Sequence, residues 1–303
     1  MSLENFIPSV WAGTLLRALD TALVYRSVMN TDYEGQIQGY GSSVRINQIG
    51  DVTVSTYAKN TDINSPEALT DAQVMLVIDQ SGYFNFQIDS VDQAQQQPKV
   101  MEEAIRRAGY GLRRKADSYC AGLYTDISAT NQVGSDASPI TGAWSAAGTM
   151  AYDRLVDIGV LLDNQDIPDD GRFVVIPPWF EAYLLKDARF VGYGTPGQLE
   201  MLLNGFRGES ITQPNNGGGP GALPIGRAAG FDIYKSNQVP NTTATKYKII
   251  AGHPMAWSFA SQVVEVDAFR PERRFADAVK GLFVYGAKIL RPNALALMTA
   301  NPT

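Results

Sequence analysis

Residues 36–80 read QIQGYGSSVRINQIGDVTVSTYAKNTDINSPEALTDAQVMLVIDQ, and the architecture follows from how this stretch must fold. Val44 and Ile46 alternate with Ser43, Arg45 and Asn47, and Val52 and Val54 alternate with Thr53 and Ser55, the period of half-buried strands. Val74–Ile78 is apolar again. Between them, Tyr57–Asp71 is polar and rich in turn formers (Asn60, Asp62, Asn64, Ser65, Pro66). The pattern predicts a two-stranded ribbon with a polar far end, whose arms of about 15 residues reach on the order of 50 Å at strand rise. A lone hairpin is marginal in water and carries unpaired edges. This one therefore needs a surface to lie on, either the rest of the chain or another copy of it.

Working outward, residues 6–29 space Val10, Trp11, Leu15, Leu19, Leu23, Val24 and Val28 as an amphipathic helix, opened by Pro8 and broken near Gly13. It packs on its own domain or reaches over a neighbour; the spacing fits both. Phe84, Phe86 and Ile88 alternate as a short strand. Pro98 opens a helix over about 98–125. Its apolar face runs through Val100, Met101, Ala104, Ile105, Ala108, Leu112, Ala116, Tyr119, Cys120 and Leu123. The other faces carry Arg106, Arg107, Arg113, Arg114 and Lys115, either as a solvated surface or as partners for acidic residues on adjacent subunits. Residues 126–150, rich in Ser, Thr, Gly, Ala and Asn, read as a linker or a loosely structured surface segment.

An α/β region follows. Tyr152, Leu155, Val156, Gly159 and Leu162 mark a helix, and Asp169-Asp170-Gly171 a turn. Arg172–Pro177 is a buried-type strand, and Pro178 starts a helix through Trp179, Tyr183, Leu184 and Leu185. Asn215–Gly221 is a Gly-rich loop. Strands are expected at Phe231–Tyr234, Tyr247–Ala251, Val263–Phe269 and Gly281–Leu290. The fold class is α+β.

The 303 residues are 45% hydrophobic, enough for a sizeable core, and the net charge of -6 comes from 25 basic against 31 acidic side chains. Gripping DNA over a surface needs clustered Lys and Arg to displace counterions, so tight general binding is not expected, whereas an acidic wall can enclose DNA without sticking to it. Cys120 and His253 are the single cysteine and the single histidine. No disulfide, no Cys/His metal cluster and no serine-hydrolase constellation can be assembled from them. Gly281 to Lys288 has the spacing of a phosphate loop, but Ala287 stands where lysine should follow glycine, and the run is apolar. No cofactor, no metal and no enzymatic activity are expected. The start, MSLENFIPSVWAG, lacks a signal-peptide pattern, and no apolar run approaches a membrane span; a cytoplasmic origin without membrane attachment is the expectation.

Three stretches, in this order, resemble the tailed-phage major capsid family, which shares the Hong Kong 97 capsid fold. Asp166-Ile167-Pro168 followed by Arg172–Pro178 is similar to its helix–strand–helix junction. Leu203-Asn204-Gly205-Phe206 followed by Gly230–Asn237 is similar to its hairpin. Phe275 through Gly281, then Tyr285–Lys288 and Arg291-Pro292, is similar to its carboxyl-terminal pattern. The resemblance implies an N-terminal arm (1–35), an extended E-loop ribbon (36–80), a peripheral domain with a long spine helix (81–127 and 263–303) and an axial domain (128–262). It implies self-assembly into hexamers and pentamers of an icosahedral head that encloses double-stranded DNA, with scaffolding protein, portal and decoration protein as partners, built in the host cytoplasm and residing in the virion. Arg45, Lys59 and Asp62 become candidates for ribbon contacts between subunits, and Arg106, Arg113 and Arg114 for contacts of the long helix. Arg270, Glu272, Arg273 and Arg274 become candidates for a charged turn meeting its copies around a threefold. The chain departs from the pattern in an insertion at about 207–227, and the arm is expected either to follow a scaffolding segment cleaved before this numbering or to rely on a separate scaffold protein. An encapsulin-like compartment shell is the alternative of the same fold, and a soluble α/β enzyme or carbohydrate-binding domain the more distant one.

Overall fold

The computed structural model describes residues 24–33, 41–49, 54–57, 59–60, 62, 65, 71–89, 100–141, 144, 150–186, 224–273 and 275–302. The expected helix over 6–23, the strand position at Val52, the Leu203–Phe206 motif, most of the 207–227 insertion and Arg274 lie outside the described residues.

Strands β1 (Ser43–Ile49) and β2 (Asp71–Val77) pair antiparallel, from Ser43 opposite Val77 to Ile49 opposite Asp71, as a two-stranded sheet of their own. Strand alternation sorts their faces. Val44, Ile46 and Leu76 are buried with Ile78, Ala260, Val284 and Leu290, while Arg45, Met75 and Val77 point away and are exposed. The inner end of the ribbon is thus seated on its own chain. Among the described residues, seven of each arm are paired. Beyond them Val54–Tyr57 is not strand, and Val54 is 94% exposed, so its alternation with Ser55 marks an unpaired segment and not a half-buried one.

β3 (Gln80–Asp89), β10 (Trp257–Phe269) and β11 (Ala276–Ile289) form an antiparallel sheet in the order β10-β11-β3. The long helix, Val100–Gly122, lies on it, close to the expected span. Its buried face includes Ile105, Leu112, Ala116 and Cys120. Lys115 donates from Nζ to the Ser81 carbonyl at 3.1 Å, and the Tyr119 ring sits 5.6 Å from that of Tyr285. Two glycines of β11 are there for close approach. A Cβ on Gly281 would stand 2.4 Å from the Phe84 ring, and one on Gly286 2.3 Å from the Val77 carbonyl oxygen. The spacing that mimics a phosphate loop is therefore a continuous strand whose glycines make room for a ring and for the base of the ribbon.

A seven-stranded sheet follows the order β4 (Gln132–Val133), β12 (Leu295–Ala300), β9 (Lys246–Gly252), β5 (Phe173–Ile176), β7 (Phe231–Lys235), β6 (Gly226–Ala228), with β8 (Asn241–Thr242) paired to β9. Its alternating residues feed two cores. Phe173, Val175, Ile250, Leu295 and Leu297 face the core shared with the long helix. Val174, Ile176, Phe231, Ile233, Ala251 and Met298 face helices Ala151–Asp163 and Pro178–Lys186. Phe173 stacks on Trp257 with centroids 5.4 Å apart, joining this sheet to β10.

Two expectations change here. Residues 263–303 do not travel as one piece with the long helix: β10 and β11 join β3, but β12 returns to pair with β9 and β4. Within the presumed linker, Asn131 donates from Nδ2 to the carbonyls of Asn293 (2.6 Å) and Leu295 (3.2 Å), and Ile140 bridges to Ala300. Small polar residues there satisfy the backbone of the last strands, which is why a loop-like composition forms a sheet edge. Before β1, the short helix Val24–Ser27 (here α1) and the residues after it pack on β10.

Candidate functional site

The described residues offer little to a reaction. No group of three or more His, Cys, Asp or Glu among them is placed to hold a metal. The Nδ1 of His253 accepts the Met255 N–H at 3.2 Å, and burial holds the imidazole below its ordinary pKa. A cleft of about 320 Å³ lies between Val156, Val160, Arg227 and Gly230, with Arg172 at its floor. That arginine, 5% exposed, is already engaged on every side. Its Nε donates to the Pro168 carbonyl (2.9 Å), Nη1 to Asp163 (2.7 Å), and Nη2 to the Ile167 carbonyl (2.5 Å) and Asp169 (2.9 Å). The arginine of the Asp166-Ile167-Pro168…Arg172 motif thus clamps the turn between helix and strand, a use of the planar guanidinium fork that lysine cannot reproduce.

What the fold offers is projecting surface. Lys59 and Asp62 are exposed beyond the ribbon's paired arms, and Asn60 beside them has φ 64, a left-handed turn that asparagine tolerates. Arg45 is exposed on the outward face of β1, opposite Met75. Tyr57, 69% exposed, adds an aromatic ring to the same projection. At the other end of the three-stranded sheet, the turn joining β10 to β11 carries exposed Glu272 and Arg273. Arg270 in that turn is committed at home, since Nε donates to Asp277 at 2.7 Å. Phe275 next to it is 89% exposed, and Lys280 lies 5.7 Å from the ring centre of Phe269. On the long helix, Arg106 and Arg114 are exposed, while Arg113 is half-buried with its guanidinium 4.5 Å from the Tyr110 ring centre.

The candidates are not gathered into one patch. The base of the ribbon sits beside Gly286 and the charged turn closes the sheet before Ala276, so about nine strand residues, roughly 30 Å, lie between the ribbon's base and the turn. Sequence reasoning missed Phe275; the signal was an aromatic residue directly after the charged run Arg270–Arg274, where no alternation explains it. It also missed Asp117, a carboxylate between Ala116 and Cys120 on the apolar side of the long helix. Asp117 is only 4% exposed and accepts the N–H groups of Val24 (3.0 Å) and Tyr25 (3.3 Å).

Comparison with known proteins places this geometry. A model of the phage capsid protein family matches residues 51–298. Among solved structures, one from Mycobacterium phage Che8 is 24% identical, covering 91% of this chain and 90% of that one with a TM-score of 0.64. The capsid of cyanophage P-SCSP1u is 16% identical, with coverages of 95% and 88% and a TM-score of 0.63. An encapsulin of Synechococcus elongatus is 13% identical over 100% and 91% of the two chains, with a lower TM-score of 0.55. No curated protein matches by sequence.

Proposed function

Because the chain belongs to the phage capsid protein family, we propose that it is the major capsid protein of a tailed phage, assembling through hexamers and pentamers into an icosahedral head around double-stranded DNA. The ribbon carries this reading. It is anchored at one end by Val44, Ile46 and Leu76 and presents Val54, Tyr57, Lys59 and Asp62 to solvent at the other. Covering an aromatic or branched side chain contributes about 1.5–3 kcal/mol, and a heterologous contact repeated around a ring multiplies it.

In this reading, residues 1–35 are the arm, 36–80 the E-loop and Val100–Gly122 the spine of a peripheral domain shared with β3, β10 and β11. The seven-stranded sheet, β12 included, is the axial domain, carrying the 207–227 insertion. Arg45, Lys59 and Asp62 contact the adjacent subunit through the ribbon. Arg106, Arg113 and Arg114 meet acidic residues across another boundary. Glu272, Arg273 and Arg274 meet copies around a threefold, helped by Phe275, while Arg270 fixes the shape of the turn. A scaffolding protein, a portal and a decoration protein are its partners, and the net charge of -6 suits a wall that holds DNA without gripping it. Assembly takes place in the host cytoplasm.

Expression with the neighbouring phage genes, followed by sedimentation and electron microscopy, tests the reading: closed shells containing DNA are expected. Deletion of Lys59–Ser65 should leave a soluble, folded subunit that forms no shells. Normal particles from the deletion would remove the ribbon from the mechanism, and shells filled with protein cargo in place of DNA would favour the compartment alternative.

A further inference from the structure

The attachment of residues 24–30 to the body has two unlike halves. At Val28–Asn30 it is made of neutral groups. Trp257 donates from Nε1 to the Val28 carbonyl at 2.9 Å, Asn30 donates to the Trp257 carbonyl at 3.2 Å, and Phe259 donates to the Asn30 carbonyl at 2.9 Å. At Val24–Tyr25 it rests on one ionisable group, the buried Asp117 carboxylate, whose Oδ2 and Oδ1 take the first two N–H groups of α1. Tyr25, 0% exposed, lies edge-on to Trp257 with centroids 6.2 Å apart, and its hydroxyl is buried with no hydrogen-bond partner among the described residues.

We propose that Asp117 is a proton-operated latch: protonated, it keeps the first turn of α1 docked on the long helix, and ionised, it loosens that turn about a pivot at Val28–Asn30. A buried carboxylate costs free energy while it is charged, and the peptide dipoles offset only part of it. Burial raises the Asp117 pKa from 3.8 to about 7, against the lowering by the Val24 and Tyr25 N–H groups and by Arg113. Released into water, the carboxyl returns to its ordinary value, so docking takes up a proton. The sign follows: with the docked pKa above the free one, docking is strongest below about pH 4 and weakens as pH rises to about 7.

Among the described residues, the other groups that face the carboxylate do not compete. Tyr25 from α1 and Cys120 from the long helix are both buried with pKa values pushed well up, so they stay protonated, and Arg113 is the cation whose field acts on Asp117. Tyr285 of β11 faces Cys120, and its pKa is pushed up to about 12. His253 packs at the Gly171 turn instead.

Amide-resolved hydrogen exchange on the full-length, unassembled chain tests the latch, independently of any shell. After correction for intrinsic rates, protection of the Val24 and Tyr25 amides should rise about tenfold or more from pH 8 to pH 5, since each pKa unit is worth a factor of ten. The Asn30 and Phe259 amides should not change. Asp117→Asn should abolish the dependence at Val24 and Tyr25. Flat protection in the parent chain, or the same slope in Asp117→Asn, would overturn the proposal. If the variant does not fold, the contrast between Val24–Tyr25 and Asn30–Phe259 in the parent chain decides it alone.

Discussion

Arg172 shows how one side chain can hold a junction. Its donors reach two carbonyls and two carboxylates, so Arg172→Met strands the Ile167 and Pro168 carbonyls while Asp163 and Asp169 turn to solvent. A loss of about 2–4 kcal/mol in urea unfolding is expected, with Arg172→Lys recovering only a fraction; an unchanged midpoint would remove the clamp. Gly286→Ala places a methyl 2.3 Å from the Val77 oxygen, a backbone atom that cannot swing aside. It should cost about 1–3 kcal/mol by the same measurement and free the ribbon base to digestion by protease. Neither role was legible beforehand. The Arg172 motif pointed to the right turn by resemblance, but spacing cannot say that a guanidinium faces inward, and nothing local marks Asp117, whose partners lie over 90 positions away.

Elements with a clear period were the easiest to foresee. The apolar rows of the long helix and of β1 and β2 are local properties, and the structure follows them closely. Elements defined by partners were not. β4 and the bridge at Ile140 exist because β12 offers an edge, and β12 itself is an apolar run whose sheet is chosen by tertiary pairing. The turn between β10 and β11 has the same character: Phe275 is 89% exposed, and the proposed function gives it a cover on a neighbouring subunit. Phe275→Ser should therefore leave thermal stability nearly untouched, within about 0.5 kcal/mol as for other surface changes, while lowering the yield of particles. A large drop in melting temperature would show instead that the ring supports its own subunit.

For the molecule as a whole, the seven-stranded sheet is a wall common to two cores, with odd and even residues of β5 and β12 serving opposite sides. Neither core can lose its wall alone. Fluorescence of the Trp144–Trp179 cluster, centroids 5.4 Å apart, and exchange at β10 should report one coincident unfolding transition; two separated steps would mean that the lobes are independent. The position of β12 has a further consequence for synthesis. An interior strand of the wall comes from residues 295–300, after every other strand in chain order. During synthesis both strands of the ribbon are therefore made long before the strand that completes the wall, and the seat of the ribbon and the closure of the wall belong to different moments of folding.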